Sequence, residues 1–240
     1  MLQSINQVHC KRIDPVWQEK APTHLEGTCI WKIKRLENYA DANGILSQDE
    51  QTKALRFHRS KDRDSFICRR TALRILLSQY IKLPPAEIEF NLGQNKKPEL
   101  RSPANLSFNV SHSEEMILIA ISDKAVGIDI EYIRPEFNFR EVLNHSFSEQ
   151  EIRFINESKE QTNCFFELWT RKEALTKASS KGLDDELRDI PVLDGWHNLN
   201  KKTGLNNSLQ LNSFSIDHEY AASIAFVDKQ NLSFFDFKFL

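Results

Sequence analysis

The chain lacks net charge: among its 240 residues, 32 Lys and Arg stand against 34 Asp and Glu, leaving −2 at pH 7 and a pI near 6.4. So weak a field gives the whole molecule no attraction for nucleic acid or for a membrane surface, and any anion site has to be local. Paired cysteines are missing too. Cys10, Cys29, Cys68 and Cys164 stand apart with no CxxC and no Cys/His cluster, so neither a zinc site nor a disulfide framework is indicated, and isolated thiols fit a reducing compartment. Long apolar runs are absent: the longest, "MILIAI" at Met116–Ile121, is far short of a membrane span. The beginning, "MLQSINQVHCKRID", has no apolar core of a signal peptide, so a cytoplasmic protein is expected. What is present is 40% apolar residues, enough to build the core of one large domain or two small ones.

Local patterns predict helices followed by strands, twice over. "TCIWKIKRL" reads as an early strand, and Ser47 with Glu50 forms a capping box that starts a helix. From Arg63 to Ile81 apolar residues recur at helical spacing, and Pro84-Pro85 punctuates the chain beyond that helix. "IEFNL", "NLSFNVS", "MILIAIS" and "AVGIDIEY" read as strands. In the second half Ser148 and Glu151 make another capping box, a helix around Trp169 comes next, and "QLNSFSI", "YAASIAFV" and "LSFFDFKF" are strands. The expectation is two α+β halves, residues 1–122 and 123–240, with the polar stretch Asp184–Ser208 as an irregular connection.

Four stretches carry candidate chemistry. In "VGIDIEYIRP", Asp129 and Glu131 are two apart in a strand, so both carboxylates point to one face and Ile128 and Ile130 to the other. Either the pair is a solvated strand end partnered by Arg134, or a hard cation such as magnesium or manganese sits between the carboxylates. In "LWTRKEALTKASSKGL", Trp169, Glu173 and Lys177 share a helical face and Lys172 adjoins them. Alone, that pattern is an amphipathic helix with Trp169 in the core. Beside a metal and a phosphate, Glu173 becomes a ligand or base and the lysines neutralise charge. "NVSHS" places Ser111 and His112 where a loop could present them to a phosphate. Between Lys53 and Arg74 eight Lys or Arg face two acids, a solvated basic face or a phosphate grip. The lack of interleaved aromatics disfavours nucleic acid.

Taken in order, "KKPEL", "NLSFNVSHS", "VGIDIEYIRP" and "LWTRKEALTKASSKGL" resemble the signature motifs of the 4′-phosphopantetheinyl transferases, specifically the surfactin-synthetase-activating (Sfp-type) group. The resemblance runs from about Lys53 to Leu183. It implies an α+β fold of two similar subdomains related by a pseudo-twofold axis, with coenzyme A in the cleft between them. It also implies a monomer, unlike the half-length branch of the family, which forms trimers. The implied reaction moves the 4′-phosphopantetheine arm of coenzyme A to a serine of an apo acyl, peptidyl or aryl carrier protein and leaves adenosine 3′,5′-bisphosphate. By motif position, Asp129, Glu131 and Glu173 surround Mg2+, with Mn2+ as the alternative; Glu173 is also the base, and Lys177 contacts the phosphate. Lys172 shares that motif. Ser111 and His112 resemble the residues on the coenzyme A phosphates, Lys97 the lysine of the Gly-Lys-Pro turn, and Arg70 and Lys53 further phosphate contacts. Two departures stand out: Lys96 replaces the turn glycine, and Glu50 stands where relatives carry a cation. The stretch Pro135–Phe147, with Phe137, Phe139 and Arg140, is either a carrier-docking surface or core packing. Two rival readings are a non-catalytic protein that binds coenzyme A or a carrier, and an unrelated magnesium-dependent phosphoesterase.

Overall fold

Residues 7–20, 22–35, 44–93, 97–101, 106–179, 187–199, 208–227 and 230–239 are described by a computed structural model. The first capping box is real: Ser47 Oγ accepts from Glu50 N and Glu50 Oε2 accepts from Ser47 N, starting helix α1 (Gln48–Ala54). Helix α2 (Ser60–Ile81) ends where Lys82 adopts a left-handed conformation ahead of Pro84 and Pro85. The second box, Ser148 with Glu151, starts α4 (Glu149–Glu157) after a short α3 (Arg140–Ser146), and α5 (Gln161–Ser179) comes after it.

The strands form two five-stranded sheets. One runs in the order β2 (Trp17–Gln18), β12 (Leu232–Phe237), β3 (Thr28–Lys34), β7 (Met116–Ser122), β6 (Ser107–Ser113). The other runs β8 (Val126–Tyr132), β11 (Tyr220–Val227), β10 (Leu209–Ile216), β1 (Gln7–Arg12), β9 (Gly195–Asn198). A hairpin of β4 (Phe90–Leu92) and β5 (Pro98–Leu100) stands beside them. Within these sheets β3-β7-β6 and β8-β11-β10 are the same all-antiparallel unit. Each is built from a strand, intervening helices and a returning hairpin, and this is the duplicated α+β architecture that the motif resemblance implies. Each chain end crosses over: β1 pairs in parallel with β10, and β12 in parallel with β3. A single cut at 122/123 does not anticipate this exchange, because long-range parallel pairing leaves no local pattern. Nor does the connection Asp184–Ser208 stay irregular in its described part. Gly195–Asn198 pairs antiparallel with β1 as a four-residue edge strand too short to show alternation.

Strand parity sorts the side chains into three cores. Trp31, Ile117, Ile119 and Ile121 face α2, while Ala221 and Ala225 face α5. Ile30, Leu118, Ile128, Ile130, Ile224 and Phe234 fill the space between the sheets. Asp129 and Glu131 therefore lie on the other side of β8 from the inter-sheet core, as their alternation with Ile128 and Ile130 predicts.

Candidate active site

Helix α5 carries Glu173 and Lys177, and Gly127 decides how close that helix comes to β8. A Cβ at Gly127 would lie 2.1 Å from the Ala174 carbonyl oxygen and 2.3 Å from the Ala178 nitrogen, so only glycine lets the helix backbone rest on the strand. Buried cations hold the rest of α5 in place. Arg171 donates to Ser213 Oγ, the Val192 carbonyl, Glu167 and Asp194. Lys172 Nζ donates to the Leu187 and Ile190 carbonyls and pairs with Glu151 at 3.0 Å. Trp169 packs in the cluster with Phe147 and Phe165, the core role expected of it on its own.

The site lies where edge strand β6 of one sheet meets edge strand β8 of the other, and side chains lace this seam. Asn109 Oδ1 accepts from Ile128 N at 2.8 Å, Ser111 Oγ donates to Asp129 Oδ1 at 2.8 Å, and Ser113 Oγ donates to Glu131 Oε2 at 3.0 Å. Lys177 Nζ reaches across from α5 to Asp129 Oδ1 at 2.6 Å, Ser111 Oγ at 3.1 Å and the Ile128 carbonyl at 3.3 Å. Asp129 is 3% exposed, and its Oδ2 has no hydrogen-bond partner among the described residues.

Three carboxylates share this neighbourhood and repel one another. Glu173 is pushed up to about 7 by burial first, then by Asp129 and Glu131, with Lys177 opposing. Burial and Asp129 also raise Glu131, and burial raises Asp129 against the pull of Lys177 and Ser111. Carboxylates that repel one another, one of them with a buried oxygen lacking a partner among the described residues, are groups whose charge a hard cation would offset. Among the described residues no three His, Cys, Asp or Glu side chains converge into a finished metal cage, and the Lys177 ammonium is the charge that meets Asp129. The donor set fits a hard divalent ion. Magnesium takes one or two carboxylates and completes its shell with water and phosphate, so a closed protein cage is not required.

The other expected residues are placed unequally. Lys97 Nζ donates to the Lys177 carbonyl at 2.8 Å and lines a cavity of about 230 Å³ with Pro98, Ser107, Phe108, Val126 and Ala178. Ser111 is at the centre, but His112 points to the opposite face of β6. There it lies against Arg69, Nη1 to Nδ1 2.8 Å, and burial and that guanidinium push it down to about 4. Arg70 pairs with Glu50 and stacks on Phe90 at 4.6 Å, while Arg74 binds the other oxygen of Glu50. Glu50, the charge-reversed position, is therefore an internal counter-ion for α2. Lys53 lies over Phe66 at 5.3 Å beside an open groove lined by Asp49, Thr52, Arg56 and Phe57. Lys172 is wholly buried and paired with Glu151 on a different face of α5, apart from Asp129, Glu131 and Glu173. Lys96 lies outside the described residues. In the stretch considered for docking, Phe139 is buried and stacks on Phe165, whereas Phe137 is 42% exposed. Sequence reasoning misses Gly127, Asn109, Ser113 and Arg69, although a glycine inside a strand signals close backbone approach.

Comparison with known proteins matches two adjoining stretches of the chain. Residues 125–226 match a family model described as the 4′-phosphopantetheinyl transferase superfamily, and residues 31–124 match one described as 4′-phosphopantetheinyl transferase, N-terminal. The chain is 33% identical over 151 residues to a putative 4′-phosphopantetheinyl transferase of Synechocystis, covering 61% of each chain. It is 32% identical over 172 residues to the 4′-phosphopantetheinyl transferase HetI of Nostoc, 68% of this chain and 72% of that one. It is also 29% identical over 150 residues to the 4′-phosphopantetheinyl transferase Sfp of Bacillus subtilis, 62% of this chain and 66% of that one. No helix among the described residues is long and apolar enough to cross a membrane.

Proposed function

This chain belongs to the 4′-phosphopantetheinyl transferase family and is of the Sfp type, and on that premise we propose that it transfers the 4′-phosphopantetheine arm of coenzyme A to a serine of an apo acyl or peptidyl carrier protein. The observation that carries the reading is the seam itself: Asp129 with an orphaned buried oxygen, Glu131 and Glu173 in electrostatic contact with it, and the Lys177 ammonium among them. In this reading the serine Oγ forms a bond to the pantetheine-side phosphorus. The bond from that phosphorus to the oxygen of the adenosine 5′-phosphate breaks, and adenosine 3′,5′-bisphosphate leaves.

Asp129, Glu131 and Glu173 would hold Mg2+, or Mn2+ in its place, which supplies neutralising charge for the pyrophosphate when bound. The protein's own groups do the remainder. Glu173, whose carboxylate accepts no hydrogen bond from a described residue, takes the proton of the serine hydroxyl. Lys177 stabilises the charge that develops on the phosphoryl oxygens. Lys97, with its cavity, and Ser111 orient the donor. His112 and Arg69 present a second polar cluster to its phosphates from the other face of β6. Arg70 and Lys53 extend the basic surface beyond it. The protein acts as a cytoplasmic monomer, its halves presented as residues 1–122 and 123–240 with the terminal strands exchanged.

Incubation with coenzyme A, Mg2+ and an apo carrier protein, followed by chromatography of the nucleotides, tests this. Release of adenosine 3′,5′-bisphosphate only when the carrier retains its serine is the expected result. Binding of coenzyme A with no nucleotide release from any carrier would favour the non-catalytic reading.

A further inference from the structure

On β6, Ser111 and Ser113 are two residues apart, and on β8 so are Asp129 and Glu131; across the seam each serine faces one carboxylate. Ser111 Oγ donates to Oδ1 of Asp129, leaving Oδ2 without a partner among the described residues. Ser113 repeats the arrangement one rung further along. Its Oγ accepts the Tyr132 N–H at 2.9 Å, so its single proton is directed to Glu131 Oε2, 3.0 Å away. Glu131 Oε1 then accepts nothing from a described residue. Each rung thus binds one oxygen of a carboxylate and frees the other.

The two sheets do not pair by backbone here, since β6 bonds to β7 and β8 to β11. Asn109, Ser111 and Ser113, all on one side of β6 and all nearly buried, replace that pairing with side-chain bonds to consecutive parts of β8. A hydroxyl is short and makes its bond only at one separation of the strands, so the serines set both the distance of the seam and the rotation of each carboxyl group.

We infer that Ser113 is a positioning residue for the cation site: its hydroxyl fixes which oxygen of Glu131 faces the ion, as Ser111 does for Asp129. This rests on the reading of Asp129, Glu131 and Glu173 as metal-holding residues. Removing a partner behind a ligand typically weakens metal binding by about 10–100-fold.

The test is Mn2+ binding without coenzyme A, monitored by the electron paramagnetic resonance signal of the free ion, in wild type and in Ser113→Ala, Ser113→Val and Ser113→Thr. Val and Thr have nearly the same shape, but only Thr keeps the hydroxyl. Ala and Val are expected to weaken binding by about tenfold or more and Thr to stay close to wild type, with melting temperatures of Val and Thr alike. In turnover, the Ala and Val variants should need more metal for half-activation while the KM for coenzyme A is unchanged. Hydrogen exchange at the Tyr132 amide should quicken in the same two variants. Wild-type affinity in Ser113→Val would overturn the assignment of Ser113 alone, even if Ser113→Thr does not fold. Failure of wild type to bind Mn2+ at all would overturn the metal reading and this one with it.

Discussion

Replacing Gly127 by alanine tests whether the approach of α5 to β8 sets the site. The new Cβ would meet the Ala174 carbonyl oxygen at 2.1 Å, the Ala178 nitrogen at 2.3 Å and the Lys177 carbonyl carbon at 2.9 Å. All three are backbone atoms, so no side-chain rotation relieves the clash. Since Cβ contacts under 3.0 Å essentially do not occur, the helix has to retreat by roughly 1 Å. Overpacking of this kind costs about 1–3 kcal/mol, which in a chain of this size lowers the melting temperature by roughly 2–12 °C. The larger effect is expected in catalysis, because Glu173 and Lys177 travel with the helix while Asp129 and Glu131 stay on the strand. A misplacement of about 1 Å can reduce a rate about 100-fold. Thermal denaturation and initial rates of carrier modification, measured on one preparation, separate the two effects. A Gly127→Ala protein with wild-type melting temperature and wild-type rate would refute the close-approach account.

Other substitutions probe the charges. Lys172→Met should lower stability by roughly 3–5 kcal/mol, since Glu151 stays buried without its cation. The surviving folded protein should keep its KM for coenzyme A, and a selective rise in that KM without unfolding would restore Lys172 to the substrate site. Glu173→Gln should stabilise the metal-free protein at pH 8. The folded carboxyl is raised to about 7 from 4.5, so its ionisation opposes folding fully above pH 7 and progressively less down to pH 4.5. Melting curves in chelator at pH 8 and pH 5 check this, and an equal gain at both would contradict the repulsion. Glu50→Gln should destabilise α1 and α2 together, because it weakens the capping box and the ties to Arg70 and Arg74 at once. Urea denaturation would show a lowered midpoint, with the metal requirement of turnover unchanged.

Much of the site was legible because it depends on short periods. Alternation on β8 put Asp129 and Glu131 on one face, and the two Ser/Glu capping boxes marked the starts of α1 and α4. The same rule of alternation, applied to "NVSHS", separates Ser111 and Ser113 from His112, and the contacts with Asp129, Glu131 and Arg69 obey that parity. Helical geometry likewise turns Lys172 about 100° away from Glu173, so neighbours in the motif serve different faces. What sequence pattern could not supply was tertiary. The exchange of β1 and β12 depends on partners more than 190 residues away, and the fit of Gly127 depends on a helix some 50 residues on.

The most direct test of the central claim is the intact mass of an apo carrier protein after incubation with coenzyme A and Mg2+, comparing wild type, wild type with chelator, and Asp129→Ala. Gain of one phosphopantetheine mass in the first case and in neither of the others is the predicted result. An equal gain with Asp129→Ala, or no gain from wild type with any carrier, would contradict it.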